Sequence, residues 1–194
     1  MFNGIIYNCG RVFSIKKNNL SMYIGIKSHM LLKKKNIGSS ISCNGVCLTL
    51  ANQIDKTSYF YLSKETLDRS NFKYLRINSS VNLEKSLVYG KDVSGHYVQG
   101  HVDTIGIIKN IKIIDETWAV KISISNKYKK FLGEKSSISI NGVSLTIGKI
   151  ENNSFFIYII PHTLKLTNLI KLKKNNIVYL EFDLFNKYLF KISN

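Results

Sequence analysis

The segment Gly38-Ser39-Ser40-Ile41-Ser42-Cys43-Asn44-Gly45-Val46-Cys47-Leu48-Thr49-Leu50 returns as Lys135-Ser136-Ser137-Ile138-Ser139-Ile140-Asn141-Gly142-Val143-Ser144-Leu145-Thr146-Ile147. Nine of the thirteen positions are identical at an offset of 97 residues. The same offset pairs Ser28 with Ser125, Thr66-Leu67 with Thr163-Leu164, and Asn71 with Asn168. It also pairs Val81, Leu83 and Glu84 with Val178, Leu180 and Glu181. At an offset of 96, Gly4 and Gly10 fall on Gly100 and Gly106. One register thus runs through nearly the whole chain, which is the mark of a duplication. The copies span about 1–88 and 97–183, with a polar joint around Tyr89-Gly90-Lys91-Asp92. This divides the chain into an N-terminal domain (1–96), a C-terminal domain (97–183) and a short tail (184–194).

Each copy reads as β. Val120-Lys121-Ile122-Ser123-Ile124-Ser125 alternates apolar and polar residues, as a half-buried strand does. Tyr59–Leu62 and Phe155–Ile160 are short aromatic and β-branched runs. Asn44-Gly45 and Asn141-Gly142 each sit between such runs, and Asn-Gly readily supplies the two positive φ angles of a type I′ hairpin turn. Basic stretches after Ser28 and Ser125 suit one or two helical turns. Several short strands in about 90 residues favour a small closed barrel, with no open edge, and leave a sandwich as the alternative. In the tail, Leu184, Phe185, Tyr188, Leu189 and Ile192 recur at helical spacing and predict a short helix that docks on its own barrel or on a neighbouring chain.

Composition narrows the function. An apolar fraction of 44% excludes a disordered chain, and no run approaches the ~20 apolar residues of a membrane span. Met1–Ile6 lacks the basic start and apolar run of a signal peptide, so a soluble cytoplasmic protein is expected. Cys9, Cys43 and Cys47 are odd in number and read as free thiols; no second Cys/His pair completes a metal site. The net charge of +16 suggests nucleic acid, yet only 3 of the 28 basic residues are arginine and the lysines are scattered. Lysine, isoleucine and asparagine make up 72 of the 194 residues, so the charge reads as compositional drift rather than a binding patch.

After the first turn, Val46, Leu48 and Leu50 alternate with Cys47 and Thr49; after the second, Ser144 and Thr146 take the same outward places. A small polar pair is therefore presented at one spot in each copy. His96 and His101 lie in Ser94-Gly95-His96-Tyr97-Val98-Gln99-Gly100-His101-Val102-Asp103, where two glycines allow close backbone approach. A histidine near its ordinary pKa can exchange protons at neutral pH, although spacing alone favours a structural one.

These residues carry a resemblance. Met1–Ile6, the Asn44–Thr49 hairpin, Lys64-Glu65-Thr66-Leu67, Gly95–Val102, Asn141–Thr146 and Ile160-Pro161-His162-Thr163 together resemble the riboflavin synthase family, in order and from Met1 to about Asp183. The resemblance implies an all-β chain of two tandem six-stranded Greek-key barrels with a short C-terminal helix, assembled as a homotrimer. It implies exchange of a four-carbon unit between two molecules of 6,7-dimethyl-8-ribityllumazine, without metal or organic cofactor. It implies a first pocket lined by Gly4, Ile5, Ile6, Cys47, Leu48, Thr49, Tyr61, Leu62, Ser63, Lys64, Glu65 and Thr66. A second would be lined by Gly100, His101, Val102, Lys135, Ser144, Leu145, Thr146, Ile160, Pro161, His162, Thr163, Leu164 and Lys165. Ser40, Cys47 and His101 fall on positions associated with catalysis: His101 for proton transfer, Ser40 or Cys47 for assisting addition or orienting the rings. Three departures stand out. Asn141 replaces the family's usual Asp, Ser94-Gly95-His96 its usual Gly-Gly-His, and the tail helix is shorter. A lumazine- or flavin-binding protein without turnover, and a pair of nucleic-acid-binding barrels, are the competing readings.

Overall fold

The computed structural model describes residues 1–30 and 32–192. The first copy supplies β1 (Asn8–Lys17), β2 (Met22–Lys27), β3 (Ser40–Cys43), β4 (Val46–Ile54), β5 (Thr57–Leu62) and β6 (Ser80–Lys85). These close into an antiparallel barrel in the order β1-β2-β5-β4-β3-β6. In the second copy β7 (Thr104–Ile114), β8 (Thr117–Ser123), β9 (Ser137–Ile140), β10 (Val143–Glu151), β11 (Ser154–Ile159) and β12 (Ile177–Phe182) repeat the order around a second barrel. Three consecutive strands joined by hairpins, with the preceding strand laid beside the last, is the Greek-key arrangement. Register shifts at Val12/Ser14 and Ile108/Asn110 bend β1 and β7, and others at Leu50/Asn52 and Ile147/Ile150 bend β4 and β10. Such bulges raise the local twist and help strands turn a barrel corner.

The alternation read from the sequence holds side chain by side chain. Val46, Leu48 and Leu50 are 7%, 3% and 0% exposed, whereas Cys47 is half-buried and Thr49 exposed. Each such aliphatic side chain contributes about 1.5–3 kcal/mol on full burial. Both Asn-Gly turns have the expected positive angles: φ is 48° and 79° at Asn44 and Gly45, 49° and 81° at Asn141 and Gly142. The basic stretches become 3-10 turns at Lys34–Asn36 and Asn126–Phe131. Short helices α1 (Lys64–Arg69) and α2 (Pro161–Leu166) follow β5 and β11; Ser63 caps α1 by accepting from the Thr66 amide, and Pro161 opens α2.

The tail forms helix α3 (Leu184–Ile192) and docks on its own barrel. Phe190 meets Phe131 edge-on at 5.6 Å, and the Lys187 ammonium lies 2.9 Å from the Asp103 carboxylate. The face bearing Phe185, Tyr188 and Ile192 stays 63%, 56% and 82% exposed.

The two barrels meet about a local two-fold axis on which the chain's own symmetry is visible. Phe2 and Val98, equivalent at the 96-residue offset, exchange backbone hydrogen bonds of 2.7 and 3.0 Å. The two Asn-Gly turns also meet there, Gly45 against Gly142. Segments leading into the barrels cross this axis. Ile6 packs into the core of the second barrel; Val102 packs against the core of the first.

Candidate functional site

Strand pairing assembles the outward polar row. Ser40 lies opposite Thr49 and Ser42 opposite Cys47, while Ser42 is also paired with Glu84 on β6. Directly opposed residues share a face, so one row on the first barrel reads Glu84, Ser42, Cys47, with Ser40 and Thr49 beside it. The second barrel repeats the row as Glu181, Ser139, Ser144, with Ser137 and Thr146 beside it.

Each row is capped by the leading segment of the other copy. The Cys47 amide donates to the Gly100 carbonyl at 2.8 Å, and the Ser144 amide to the Gly4 carbonyl at 2.8 Å. Gly100 at φ 79° and Gly4 at φ 73° lie so close that a Cβ on either would sit 2.7 Å from the partner residue's Cβ. The family resemblance implied Gly4, Ile5 and Ile6 at the first pocket and Gly100, His101 and Val102 at the second. The structure reverses this. The leading segments cross the two-fold axis and serve the opposite barrels.

The result beside Cys47 is a cavity of about 430 Å³ lined by Val46, Cys47, Glu65, Thr66, Arg69, Ser70, Gly100, His101 and Val102. That volume is sized for one small heteroaromatic ligand. Cys47 and His101 therefore border one space, although they come from different copies. Ser40 begins β3, opposite Thr49 and two residues before Ser42, the partner of Cys47. Tyr61, Lys64 and Glu65 are exposed at the head of α1, where Glu65 pairs with Arg69 at 3.2 Å.

Around Ser144 the setting differs. The joint between the copies folds over this row. His96, 8% exposed, places Nδ1 2.7 Å from the Ser144 hydroxyl. Burial holds the His96 pKa below its ordinary value, because the protonated ring is poorly solvated there, and so favours the neutral imidazole. Its Nε2 and the Oδ1 of nearby Asn3 are buried polar atoms without a partner among the described residues. Lys135, at φ 66°, occupies the turn into β9 with an exposed side chain; Ile160, Pro161, His162 and Lys165 lie about α2, and all four are exposed.

Four of the expected pocket side chains cannot face a ligand. Leu48, Leu62, Leu164 and Ile6 are 3%, 0%, 5% and 4% exposed and point into the barrel cores, leaving only their main chain at these positions. Conversely, Arg69 and Ser70 line the first cavity and His96 meets Ser144, although the sequence motifs did not single out these three as pocket residues, and Ser42 and Ser139, each 1% exposed, lie buried within the rows. The repeated Ser-Ile-Ser alternation placed Ser42 and Ser139 at the same register in the two copies. Asn141 supports the turn, because its Oδ1 accepts from the Tyr179 amide at 2.8 Å, as Asn44 accepts from the Asn82 amide at 2.7 Å.

Fold and paired rows define a tandem lumazine-binding protein, and the model of the lumazine binding domain matches residues 3–86 and again 99–183. Riboflavin synthase of Photobacterium leiognathi is 36% identical over 193 residues, 99% of this chain and 88% of that one. Riboflavin synthase of Actinobacillus pleuropneumoniae is also 36% identical, over 97% of this chain and 88% of that one. The crystal structure of LumP complexed with riboflavin superimposes with a TM-score of 0.83 at 26% identity, covering 94% of this chain and 99% of the other. The chain belongs to the riboflavin synthase family.

Proposed function

We propose that this chain converts two molecules of 6,7-dimethyl-8-ribityllumazine into riboflavin and 5-amino-6-ribitylaminouracil by transfer of a four-carbon unit. One observation carries the reading: the molecule has two polar rows at matching register, each roofed by a glycine of the other copy, which suits the binding of two copies of one substrate. The LumP relative was crystallised with the same lumazine, at a TM-score of 0.81.

The reaction needs loss of a proton from the acidic methyl of the donor lumazine and a nucleophile added at the neighbouring ring carbon of one lumazine. The ring system delocalises the carbanion, so holding two rings together supplies much of the rate. His101, exposed at the mouth of the first cavity, is assigned to proton transfer. Cys47 and Ser40, on the wall of the same barrel, assist addition or orient the ring. Backbone amides of the strands suit the pyrimidinedione edge, and hydroxyls suit the ribityl chain. In the working assembly we place the first barrel of one chain opposite the second barrel of its neighbour in a cytoplasmic homotrimer, with the exposed α3 face toward the neighbouring chains.

Incubation with the lumazine in EDTA, followed by riboflavin fluorescence, tests the proposal. One riboflavin per two lumazines consumed, with many turnovers per chain, is expected. Tight binding without turnover would replace it with a carrier role. Ser40→Ala, Cys47→Ser and His101→Gln should each lower kcat; rates within about twofold of wild type would remove that residue from the mechanism.

A further inference from the structure

The outward rows contain two carboxylates that the mechanism above does not use. Glu181 is 3% exposed and Glu84 is 9% exposed. Among the described residues neither forms a salt bridge within 4 Å. Glu181 instead accepts three backbone amides from the segment that roofs the first barrel: Gln99 at 2.6 Å, Gly100 at 2.9 Å and His101 at 3.0 Å. Glu84 accepts the equivalent amides of the segment that roofs the second barrel, Asn3 at 2.7 Å and Gly4 at 3.0 Å. Burying a carboxylate is costly unless it is bonded, so a bare structural strand would not place one here. Strand interiors also disfavour Glu, yet both copies retain it at the same register.

The consequence is crossed. Glu181 belongs to the second barrel, but the Gly100 it grips bonds Cys47 of the first, and the His101 it grips lines the first cavity. Glu84 belongs to the first barrel, but the Gly4 it grips bonds Ser144 of the second. We infer that Glu181 and Glu84 are positioning residues for the opposite barrel's pocket: Glu181 fixes Gly100 and His101 over Cys47, and Glu84 fixes Gly4 over Ser144. The roles assigned to Cys47 and His101 rest on the proposed reaction; the crossed positioning rests on geometry alone. It goes beyond the pocket linings, because neither carboxylate is required to touch the ligand.

Glu181→Gln and Glu84→Gln keep size and remove charge, and each presents an NH2 where an acceptor stood. Hydrogen bonds to charged acceptors are the strong ones, so loss of one should loosen the gripped segment by about tenfold in its opening equilibrium. Amide hydrogen exchange, followed by NMR at pH 8 in the ligand-free chain, reads this without any assumption about the reaction. In Glu181→Gln the Cys47 amide should exchange about tenfold faster while the Ser144 amide is unchanged. In Glu84→Gln the pattern should invert. Equal acceleration at both amides would mean general loosening and would overturn the inference, as would acceleration on the variant's own barrel or no change at either. A second readout uses wild-type turnover as its reference: Glu181→Gln should reduce kcat/KM about tenfold with its melting temperature within a few degrees of wild type. If the wild-type chain binds the lumazine without turning it over, the proposed reaction fails while the exchange pattern still decides the positioning role.

Discussion

Gly142→Ala probes the contact on which the two barrels meet. Gly142 has φ 81°, and an added Cβ would lie 2.6 Å from the Gly45 nitrogen and 3.1 Å from its Cα, where ordinary contact begins near 3.4 Å. Two penalties combine. An L side chain held in the left-handed region costs about 1–2 kcal/mol. Crowding a packed backbone adds about 1–3 kcal/mol, because the opposing turn cannot retreat freely. That turn is fixed by the Asn44 amide on the Asn82 carbonyl at 2.9 Å and by the Asn82 amide on Asn44 Oδ1 at 2.7 Å. A loss of about 2–5 kcal/mol is therefore expected, a large share of a domain's stability. Gly90→Ala is the control. Gly90 has nearly the same φ, 79°, but open space around its missing Cβ, so only the conformational penalty applies. Urea unfolding followed by Trp118 fluorescence, which reports on β8, and by far-UV circular dichroism should separate the two variants by about 1–3 kcal/mol. The double variant Gly45→Ala/Gly142→Ala should fall short of the summed single losses, since both crowd one contact. Equal destabilisation by Gly142→Ala and Gly90→Ala would refute the Gly–Gly contact.

Stability should depend on pH in two windows. The Lys121 and Lys149 ammonium groups beside Glu151 hold its pKa down at about 2, so its contribution is present above the ordinary carboxylate value and is lost as pH falls toward 2; Glu151→Gln should flatten the acid limb of a melting profile. Burial pushes Glu84 and Glu181 up to about 7 against the opposing pull of their amide bonds, so the folded chain holds those protons longer and stability declines as pH rises from about 4.5 to 7. The Glu84→Gln/Glu181→Gln double variant should lack that decline in calorimetry. Iodoacetamide should label exposed Cys9 and half-buried Cys47 but spare Cys43, which lies in the core and whose thiol burial pushes far up; bound riboflavin should protect Cys47, and peptide mass spectrometry reads all three sites. A fragment of residues 1–92 lacks the Gly100 segment, so its own Gly4 segment should cross to a second fragment and give a dimer in sedimentation; a stable monomer with a protected Cys47 amide would contradict the crossing.

Much of the fold was legible because the constraints that set it are local and repeated. The alternation of Val46, Leu48 and Leu50 with Cys47 and Thr49 fixes which face is buried, and Asn-Gly fixes the hairpin register. The same alternation should have removed Leu48 and Leu62 from the pocket lining, since a period of two cannot put both Cys47 and Leu48 on the outside. The Glu84/Glu181 pair was visible in the repeat, but its partners are 80 or more residues away and are backbone amides, which carry no side-chain signature.

The crossing of the leading segments was not legible for a deeper reason. In a duplicated chain the two lips are equivalent, Gly4 to Gly100 and Ile6 to Val102, so either can satisfy either barrel. Local patterning is therefore the same whether each lip stays home or is exchanged. The choice is made at the joint: Phe2 and Val98 bond each other on the axis, which brings the two lips side by side and sends each onward to the far barrel. Exchange makes the pockets interdependent. A change in one barrel's Glu, glycine or turn reaches the row of the other through the crossed segments. Two barrels merely strung in tandem would carry no such contact between one copy's strand and the segment over the other's row.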